Sequence, residues 1–244
     1  MYDWPEVRWA HDALWSAIAS RLRASGIAAP EKLDRTRRSD DLWRDPSLVL
    51  SQTCGWPFST RLIGKVRLVT TPTYDVDGCE GPRYSTMIVA RRGEGISLRD
   101  FAERRFAFNS DDSLSGYVAF RAALREASLN ADAATWIETG SHRDSLRAVA
   151  ERTADLASID AVCFALAKDY EADAVAKLAV VAQTPLRPGL PFLTANRSEA
   201  EVDLIRSAVE AAVADPAIKD ACGTLHLSGV AVVAEAEYAK LASP

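Results

Sequence analysis

Two serines and a glycine stand together where a strand-like run gives way to a helix-like run. Residues 109–117 read Asn-Ser-Asp-Asp-Ser-Leu-Ser-Gly-Tyr, so Ser113, Ser115 and Gly116 fall at the predicted helix start. The first N–H groups of a helix lack helical partners and carry partial positive charge, so together with hydroxyls they can hold an oxyanion. Gly116 would let a ligand approach the backbone closely. The plainer interpretation is that Ser113 only caps the helix.

Two further predicted strands end in polar side chains. The predicted strand 135–137 is followed by a loop of hydroxyls and glycine, which places His142 in the first turn of the next helix. The predicted strand 156–159 ends in Asp160. Because open α/β sheets bind ligands at the carboxyl ends of their strands, these strand ends are the predicted binding site.

Asp160 has two interpretations that the sequence supports equally. A carboxylate beside an oxyanion loop repels the anion, so it can instead pair with a cationic part of the ligand. Alternatively, it accepts hydrogen bonds from the backbone N–H groups that open the following helix.

The order and spacing of these segments resemble the phosphate/phosphonate-binding family of solute-binding proteins for ATP-driven importers. The resemblance covers nearly the whole chain, and its matching segments are Ser51–Gly55, Tyr84–Ser85, Asn109–Gly116, Thr139–His142, Ile159–Val162 and Pro188–Pro191. It implies the α/β, two-lobed type II periplasmic-binding-protein fold, with mainly parallel sheets flanked by helices and a ligand cleft between the lobes.

The resemblance also implies roles for individual residues. In that family, a Ser-x-Ser-Gly loop and a following histidine hold the phosphonate group, and a later acidic residue can hold a substrate amine. Here these ligand-binding roles fall on Ser113, Ser115, Gly116, His142 and Asp160. The family usually has a hydroxyl between the two serines; this chain has Leu114, which removes one potential oxyanion contact.

Four more residues complete the predicted ligand-binding set. Tyr84 and Ser85 precede a predicted strand near the first crossing between lobes, as in the family, and Thr53 lies in another matching segment. Tyr2 is a loop aromatic of the kind that can wall a small organic ligand.

Composition excludes several other functions. The 244 residues carry a net charge of −5 with no long basic run, which disfavours nucleic-acid binding. No stretch of apolar residues is long enough to span a membrane. Phosphate-binding and dinucleotide-binding glycine loops are missing, and the three histidines do not have metal-ligand spacing, so no cofactor or metal is expected.

An enzyme remains the alternative from another class. Ser115, His142 and Asp160 are the residue types of a hydrolase triad, but the Gly-x-Ser-x-Gly elbow is missing. The sequence therefore favours a solute-binding protein of an ABC importer, which closes on a small phosphonate-like, phosphate-like or zwitterionic ligand and serves a permease. The alternative is a cytoplasmic enzyme or ligand sensor on the same fold, acting on a phosphorylated or heterocyclic metabolite.

The expected lobes follow from two predicted crossings. The glycine-and-charge segment 91–95 and the segment 183–185 give lobe 1 as residues 1–91 and 184–244, and lobe 2 as residues 92–183. Capping-box spacing predicts helix starts at Asp3 and Ser198.

Two features concern the compartment. The family resemblance implies the periplasm. No signal-like segment precedes the first helix, so Met1 as the native start would instead imply the cytoplasm. Cys54 and Cys79 could form a disulfide if both lie in one lobe, and two free thiols are about as well supported.

Overall fold

The structure, a computed structural model, describes residues 2–101 and 104–242; Met1, on which the start-site hypothesis rests, lies outside this range. The α-helices are α1 (Arg8–Ala24), α2 (Ser39–Trp43), α3 (Gly55–Pro57), α4 (Ala119–Glu126), α5 (His142–Ala150), α6 (Ala161–Tyr170), α7 (Ala172–Val175), α8 (Glu199–Val213), α9 (Lys219–Thr224) and α10 (Glu235–Ala239). The strands are β1 (Ser51–Gln52), β2 (Arg67–Tyr74), β3 (Cys79–Glu80), β4 (Arg83–Tyr84), β5 (Thr86–Arg91), β6 (Arg105–Phe108), β7 (Thr135–Glu138), β8 (Leu156–Asp160), β9 (Leu178–Gln183), β10 (Arg187–Pro188), β11 (Phe192–Thr194) and β12 (Leu227–Ala231).

The chain divides into two compact units, as the sequence predicted. Unit 1 comprises the residues up to Asp75 together with Pro188–Ala242, and unit 2 comprises Val76–Arg187. The predicted boundaries, after residue 91 and before residue 184, lie elsewhere in the structure. The reason is that β5 pairs with both β8 and β9, so the first part of the predicted linker region belongs to the sheet of unit 2.

Unit 1 is built on an antiparallel sheet with helices packed on it. Its strand order is β1-β11-β2-β12, and each neighbouring pair is antiparallel. Helix α8 packs on β2 and against α1, whose buried face includes Leu14, Ile18 and Leu22. These three residues recur at helical spacing, which is typical of an amphipathic helix that packs on one face.

One of the two predicted capping boxes is present. Ser198 Oγ accepts a hydrogen bond from Glu201 N, and the Glu201 carboxylate accepts one from Ser198 N, which starts α8. The Asp3 prediction is wrong: a 3₁₀ turn over Pro5–Val7 precedes α1, and Asp3 accepts from Arg35 Nε at 2.7 Å instead. A strong charge partner elsewhere in unit 1 thus replaces the local cap.

Unit 2 is built on a mixed five-stranded sheet with the order β7-β6-β8-β5-β9. Strand β6 runs parallel to β7 and β8, while β5 runs antiparallel to β8 and β9. With the antiparallel sheet of unit 1, this makes the prediction of mainly parallel sheets wrong. Crossover helices force strands β6, β7 and β8 to run parallel, but β5 reaches the sheet directly from β4 and inserts between them and β9 in the opposite direction.

The core of unit 2 joins the sheet to α4. Phe106 of β6 packs against Phe120 at a ring distance of 5.4 Å and against Trp136 at 5.6 Å. Ile88 and Leu156 from the two adjacent strands complete the centre of this cluster. Burial of each such side chain contributes about 1.5–3 kcal/mol, so the core holds β6 and α4 firmly on either side of the loop that joins them.

An ion cluster lies at the sheet edge where β6 and β8 begin. Asp155 accepts from Arg91 Nη2 at 3.1 Å and from the guanidinium of Arg105 at 2.9 and 3.1 Å. Burial alone would raise the pKa of Asp155, but these hydrogen bonds hold it well below its ordinary value. The cluster fixes the starts of the two strands whose far ends carry the polar residues.

Two further findings concern the thiols and the membrane. All four cysteines are free; Cys54 lies in unit 1 and Cys79 in unit 2, so the condition set for a disulfide between them is not met. Among the described helices, none is long and apolar enough to cross a bilayer.

Candidate functional site

The parallel strands of unit 2 bring the predicted polar residues to one edge of the sheet. Strands β6, β7 and β8 end at Phe108, Glu138 and Asp160, and they run in the same direction. The loop after β6 contains the two serines, the loop after β7 leads into α5 at His142, and Asp160 itself opens α6. The sequence prediction that these groups share an edge is therefore reproduced in unit 2.

Ser113 starts the helical segment after β6. Its Oγ accepts from Gly116 N at 3.0 Å, and a wide π-helical turn over Leu114–Val118 leads into α4. Ser113 and Ser115 are both buried, with 5% and 3% of their surface exposed. Leu114 is fully buried, so the position where the family usually has a hydroxyl serves the core of this chain.

His142 connects the loop after β6 to strand β8. Its Nε2 lies 2.9 Å from Ser115 Oγ, and its Nδ1 lies 3.2 Å from the carbonyl oxygen of Ser158. A carbonyl can only accept, so we assign the proton to Nδ1, which leaves Nε2 as the acceptor of the Ser115 hydroxyl hydrogen. Ser113 Oγ, at 3.5 Å from Ser115 Oγ, extends the chain of polar contacts.

The charge state of His142 differs from the one that an anion-donating histidine needs. Burial lowers the pKa of His142 to about 4, against the opposing effect of the hydrogen bond to Ser158. The imidazole is therefore neutral at neutral pH. With its proton on Nδ1, the neutral ring presents Nε2 as an acceptor, so it offers no hydrogen to an anion from that nitrogen.

A chain of hydroxyls supports the loop from below. Ser158 Oγ lies 2.7 Å from the Ser115 carbonyl and 3.1 Å from Thr86 Oγ1, which lies 3.2 Å from Thr184 Oγ1. The Ser158 hydroxyl donates to the Ser115 carbonyl, since a carbonyl only accepts. Strands β8 and β5 and the residue that follows β9 are thereby linked to one loop residue.

Gly116 is needed for close packing of protein groups. A Cβ placed on it would stand 1.8 Å from Asn109 Oδ1 and 3.1 Å from a carbon of the His142 ring. The close approach that glycine permits here is thus made by the side chain of Asn109, where the sequence hypothesis had placed a ligand. Asn109 Oδ1 is buried without a hydrogen-bond partner among the described residues.

Asp160 caps helix α6. Its Oδ1 accepts from Val162 N at 2.8 Å and Cys163 N at 3.3 Å, as the second of its two interpretations required. The residue is buried, with 1% of its surface exposed. Burial, and then the charge of Asp160, raise the pKa of the Cys79 thiol to about 12, so this carboxylate also influences the β3 strand.

Ser85 and Tyr84 lie beside the same edge in unit 2, and both are buried. The Ser85 hydroxyl donates to the carbonyl of Gly78 at 2.9 Å and accepts from Gln183 Nε2 at 2.8 Å. The hydroxyl hydrogen of Ser85 is thus engaged with the protein, and its role here is to hold the loop before β3.

Thr53 and Tyr2 belong to unit 1. Thr53 is fully buried; its N–H donates to the Pro191 carbonyl at 3.2 Å and its hydroxyl to the Cys54 carbonyl at 3.2 Å. Tyr2 is buried against Tyr74, edge to face, with ring centroids 5.5 Å apart. Their predicted contact with a ligand stays a prediction.

Three polar residues of unit 2 were not assigned a role from the sequence. Ser158 is a serine inside an otherwise apolar strand, and that exception was the signal that could have identified it. Asn109 is the first residue of the segment 109–117, which contains the two serines. Arg187, at the end of unit 2, has a buried Nε without a hydrogen-bond partner among the described residues; nothing in the sequence distinguishes it from other arginines.

Comparison with known families identifies the family of this chain. The family model described as "ABC transporter, phosphonate, periplasmic substrate-binding protein" matches residues 64–238. The chain belongs to this family. The recognised resemblance and the role of ABC-transporter substrate-binding protein are thus confirmed at the level of the family. A search of curated protein sequences found no match.

Solved structures confirm the two-lobed fold. The chain is 12% identical to PhnD1 from Prochlorococcus marinus in complex with methylphosphonate, with 96% of this chain and 91% of that chain covered and a TM-score of 0.76. It is 16% identical to a binding-protein component of a phosphonate transporter from Pseudomonas aeruginosa, with 92% of this chain and 77% of that chain covered and a TM-score of 0.74. For XAC2383 from Xanthomonas citri bound to ATP, the corresponding values are 15%, 95%, 90% and 0.73.

We predict that Gly116→Ala destabilises the protein by about 1–3 kcal/mol, because the new methyl group overpacks the loop against Asn109. The double variant Gly116→Ala/Asn109→Ala should recover part of this loss, as measured by chemical denaturation in a double-mutant cycle. Gly223→Ala is the control, because nothing lies within 4 Å of a Cβ there. Strict additivity of the two substitutions would show that the Asn109 contact does not constrain Gly116.

We also predict that unfolding free energy falls as pH falls from 6.5 toward about 4, because unfolded His142 binds a proton that the folded ring excludes. Above pH 6.5 both states hold the neutral ring, so the effect vanishes there. Comparison of denaturation curves for the wild type and His142→Gln isolates this contribution. The same pH dependence in both proteins would assign the acid sensitivity to other groups.

Proposed function

We propose that this family member binds a small solute at the strand-end edge of unit 2 and presents it to an ABC permease in the periplasm. The observation that carries the proposal is a chain of polar contacts: Ser113 and Ser115, at the helix start after β6, meet His142, in the first turn of α5. These groups offer hydroxyls, an imidazole nitrogen and first-turn backbone N–H groups at one place. Membership of the phosphonate-binding family supports both the compartment and the permease partner.

The charges at this edge define the class of solute. His142 is neutral and Asp160 contributes a carboxylate, so the predicted contact residues of unit 2 include no cation. Helix starts can stabilise an anionic group, but the carboxylate disfavours a ligand of purely negative charge. A zwitterion suits both the helix starts and the carboxylate, because its oxyanion can lie at the serine loop and its ammonium group can lie toward Asp160.

The geometry favours binding without chemistry on the solute. In a hydrolase triad, a carboxylate orients the histidine through Nδ1. Here Nδ1 lies against the Ser158 carbonyl, and Asp160 accepts from the first N–H groups of α6. Ser115 therefore has a hydrogen-bonded histidine but no carboxylate behind it. Turnover of phosphate esters or phosphonates by the purified protein would contradict this part of the proposal.

Methylphosphonate and 2-aminoethylphosphonate are the first probes, since PhnD1 from Prochlorococcus marinus was solved with methylphosphonate. A solute that binds the folded protein should raise its stability by about 2.7 kcal/mol at a hundredfold excess over the dissociation constant. Ser115→Ala should weaken binding in calorimetry by about 0.5–1.5 kcal/mol, or up to about 3 kcal/mol for a charged acceptor. Ser110→Ala is the control, because that hydroxyl donates to Asp112 at 2.9 Å. Equal affinity of Ser115→Ala and the wild type would remove the loop from the site.

Asp160→Asn tests the zwitterion. Asparagine is as good a helix cap as aspartate, so the substitution removes the charge and keeps the start of α6. Affinity for 2-aminoethylphosphonate should fall by roughly 2–5 kcal/mol, while ethylphosphonate, which lacks the amine, should bind no worse. A matching loss for the two ligands would show that Asp160 acts on the fold and does not contact the amine.

A further inference from the structure

The Ser115 and His142 side chains share a single hydrogen. Nδ1–H of His142 is directed to the Ser158 carbonyl at 3.2 Å, so Nε2 carries only a lone pair. The Ser115 hydroxyl, 2.9 Å away, supplies the only hydrogen between Oγ and Nε2. On the other side of Ser115, Ser113 Oγ already accepts from Gly116 N and can direct its own hydrogen toward Ser115.

The pair holds one hydrogen for two acceptor atoms, Ser115 Oγ and His142 Nε2. If Ser115 keeps its hydrogen on Nε2, its oxygen can accept from Ser113 Oγ, 3.5 Å away, and has a second lone pair for a ligand hydrogen. If Ser115 turns that hydrogen to a ligand oxygen, His142 Nε2 loses its donor in a partly buried position. A buried acceptor left without a donor is costly. A ligand that brings its own hydrogen avoids this cost in the second arrangement and can donate to Ser115 Oγ in the first.

We infer that the ligand group bound at the Ser115–His142 pair is a hydrogen-bearing oxyanion: the singly protonated form of a phosphonate or phosphate, with its P–OH donating to the pair. This inference rests on the proposed function and narrows its substrate class. It also implies that proton-free oxyanions of equal shape and charge, such as sulfonates, are rejected. A site built to pair with a hydroxyl discriminates strongly against an analogue that lacks it.

The surroundings of His142 do not supply another proton or charge to this pair. The loop of residues 113–116 contributes hydroxyls, and β8 contributes Ser158 and, at its end, the helix-capping Asp160. On α5, Arg143 is paired with Glu171, and Asp144 accepts from Ser141 Oγ at 2.6 Å. Burial, without a contribution from any charged group, lowers the pKa of His142 to about 4, so the ring keeps its acceptor at neutral pH.

Methylphosphonate and methanesulfonate separate the proton from shape and charge. The singly protonated phosphonate and the sulfonate have the same size and a charge of about −1, and they differ by one hydrogen. Calorimetry should show at least about tenfold weaker binding of methanesulfonate. Above the second pKa of methylphosphonate, its affinity should fall about tenfold per pH unit, because only the protonated fraction binds. Proton uptake, measured in buffers of different ionisation enthalpy, should then accompany binding.

His142→Gln supplies an amide donor and should narrow the difference between the two ligands. Ring ¹⁵N shifts of the ligand-free wild type give an independent check that needs no variant to bind; the Nδ1–H tautomer is expected at neutral pH, and the Nε2–H tautomer or an imidazolium would overturn the inference. Methanesulfonate binding equal to methylphosphonate, or no binding of methylphosphonate and inorganic phosphate, would overturn it as well. In the latter case, a solute of another class that stabilises the wild type but not Ser115→Ala would leave the proposed function intact.

Discussion

The hydrogen bond between His142 Nδ1 and the Ser158 carbonyl governs the polar edge of unit 2. Because a carbonyl has no hydrogen to give, this single contact fixes the tautomer of the ring, and the tautomer makes Nε2 an acceptor. The Ser115 hydroxyl then has to donate to the ring. The same serine is held through its carbonyl by Ser158 Oγ, so strand β8 determines both the position and the polarity of the loop.

Buried polar groups are paired in different ways at the two ends of the strands in the unit 2 sheet. Where β6 and β8 begin, Asp155 and the guanidinium groups of Arg91 and Arg105 form a closely paired ion cluster. Where the same strands end, hydroxyls, carbonyls and a neutral imidazole satisfy one another. A buried charge is tolerated only when it is paired, so the ion cluster is suited to fastening strands. Backbone N–H groups hold the Asp160 carboxylate at the strand ends, and the uncharged hydroxyls and imidazole can exchange their hydrogen bonds with a solute at lower cost.

Leu114 and Gly116 show how this chain departs from and retains the family pattern. The fully buried Leu114 gives up a hydroxyl in exchange for core packing. Gly116 keeps the loop tight enough for the Asn109 amide and the His142 ring to lie against its backbone. The strand-end edge therefore offers one hydroxyl donor fewer than a loop with a hydroxyl-bearing residue between its two serines. Under the proposed function, recognition would depend more on backbone N–H groups, on the Ser115–His142 pair and on Asp160.

Local sequence patterns were enough to locate the strand ends and the helix starts that come after them. The alternation of apolar residues and the capping spacing placed Ser113, His142 and Asp160 at helix starts after strands, because these are local signals that depend on near neighbours. The ordered motifs also predicted the family. The capping role of Asp160 was one of the two interpretations that the sequence supported.

The direction of β5, the unit boundaries, and the tautomer and pKa of His142 became known from the three-dimensional structure. Strand direction follows from how the chain crosses between units, and the spacing of residues along one strand carries no record of its partners. The tautomer of His142 depends on Ser158, which is 16 residues away in sequence, and burial of the ring lowers its pKa. The space over Gly116 likewise depends on the Asn109 rotamer. Such contacts arise from packing, which residue types alone do not specify.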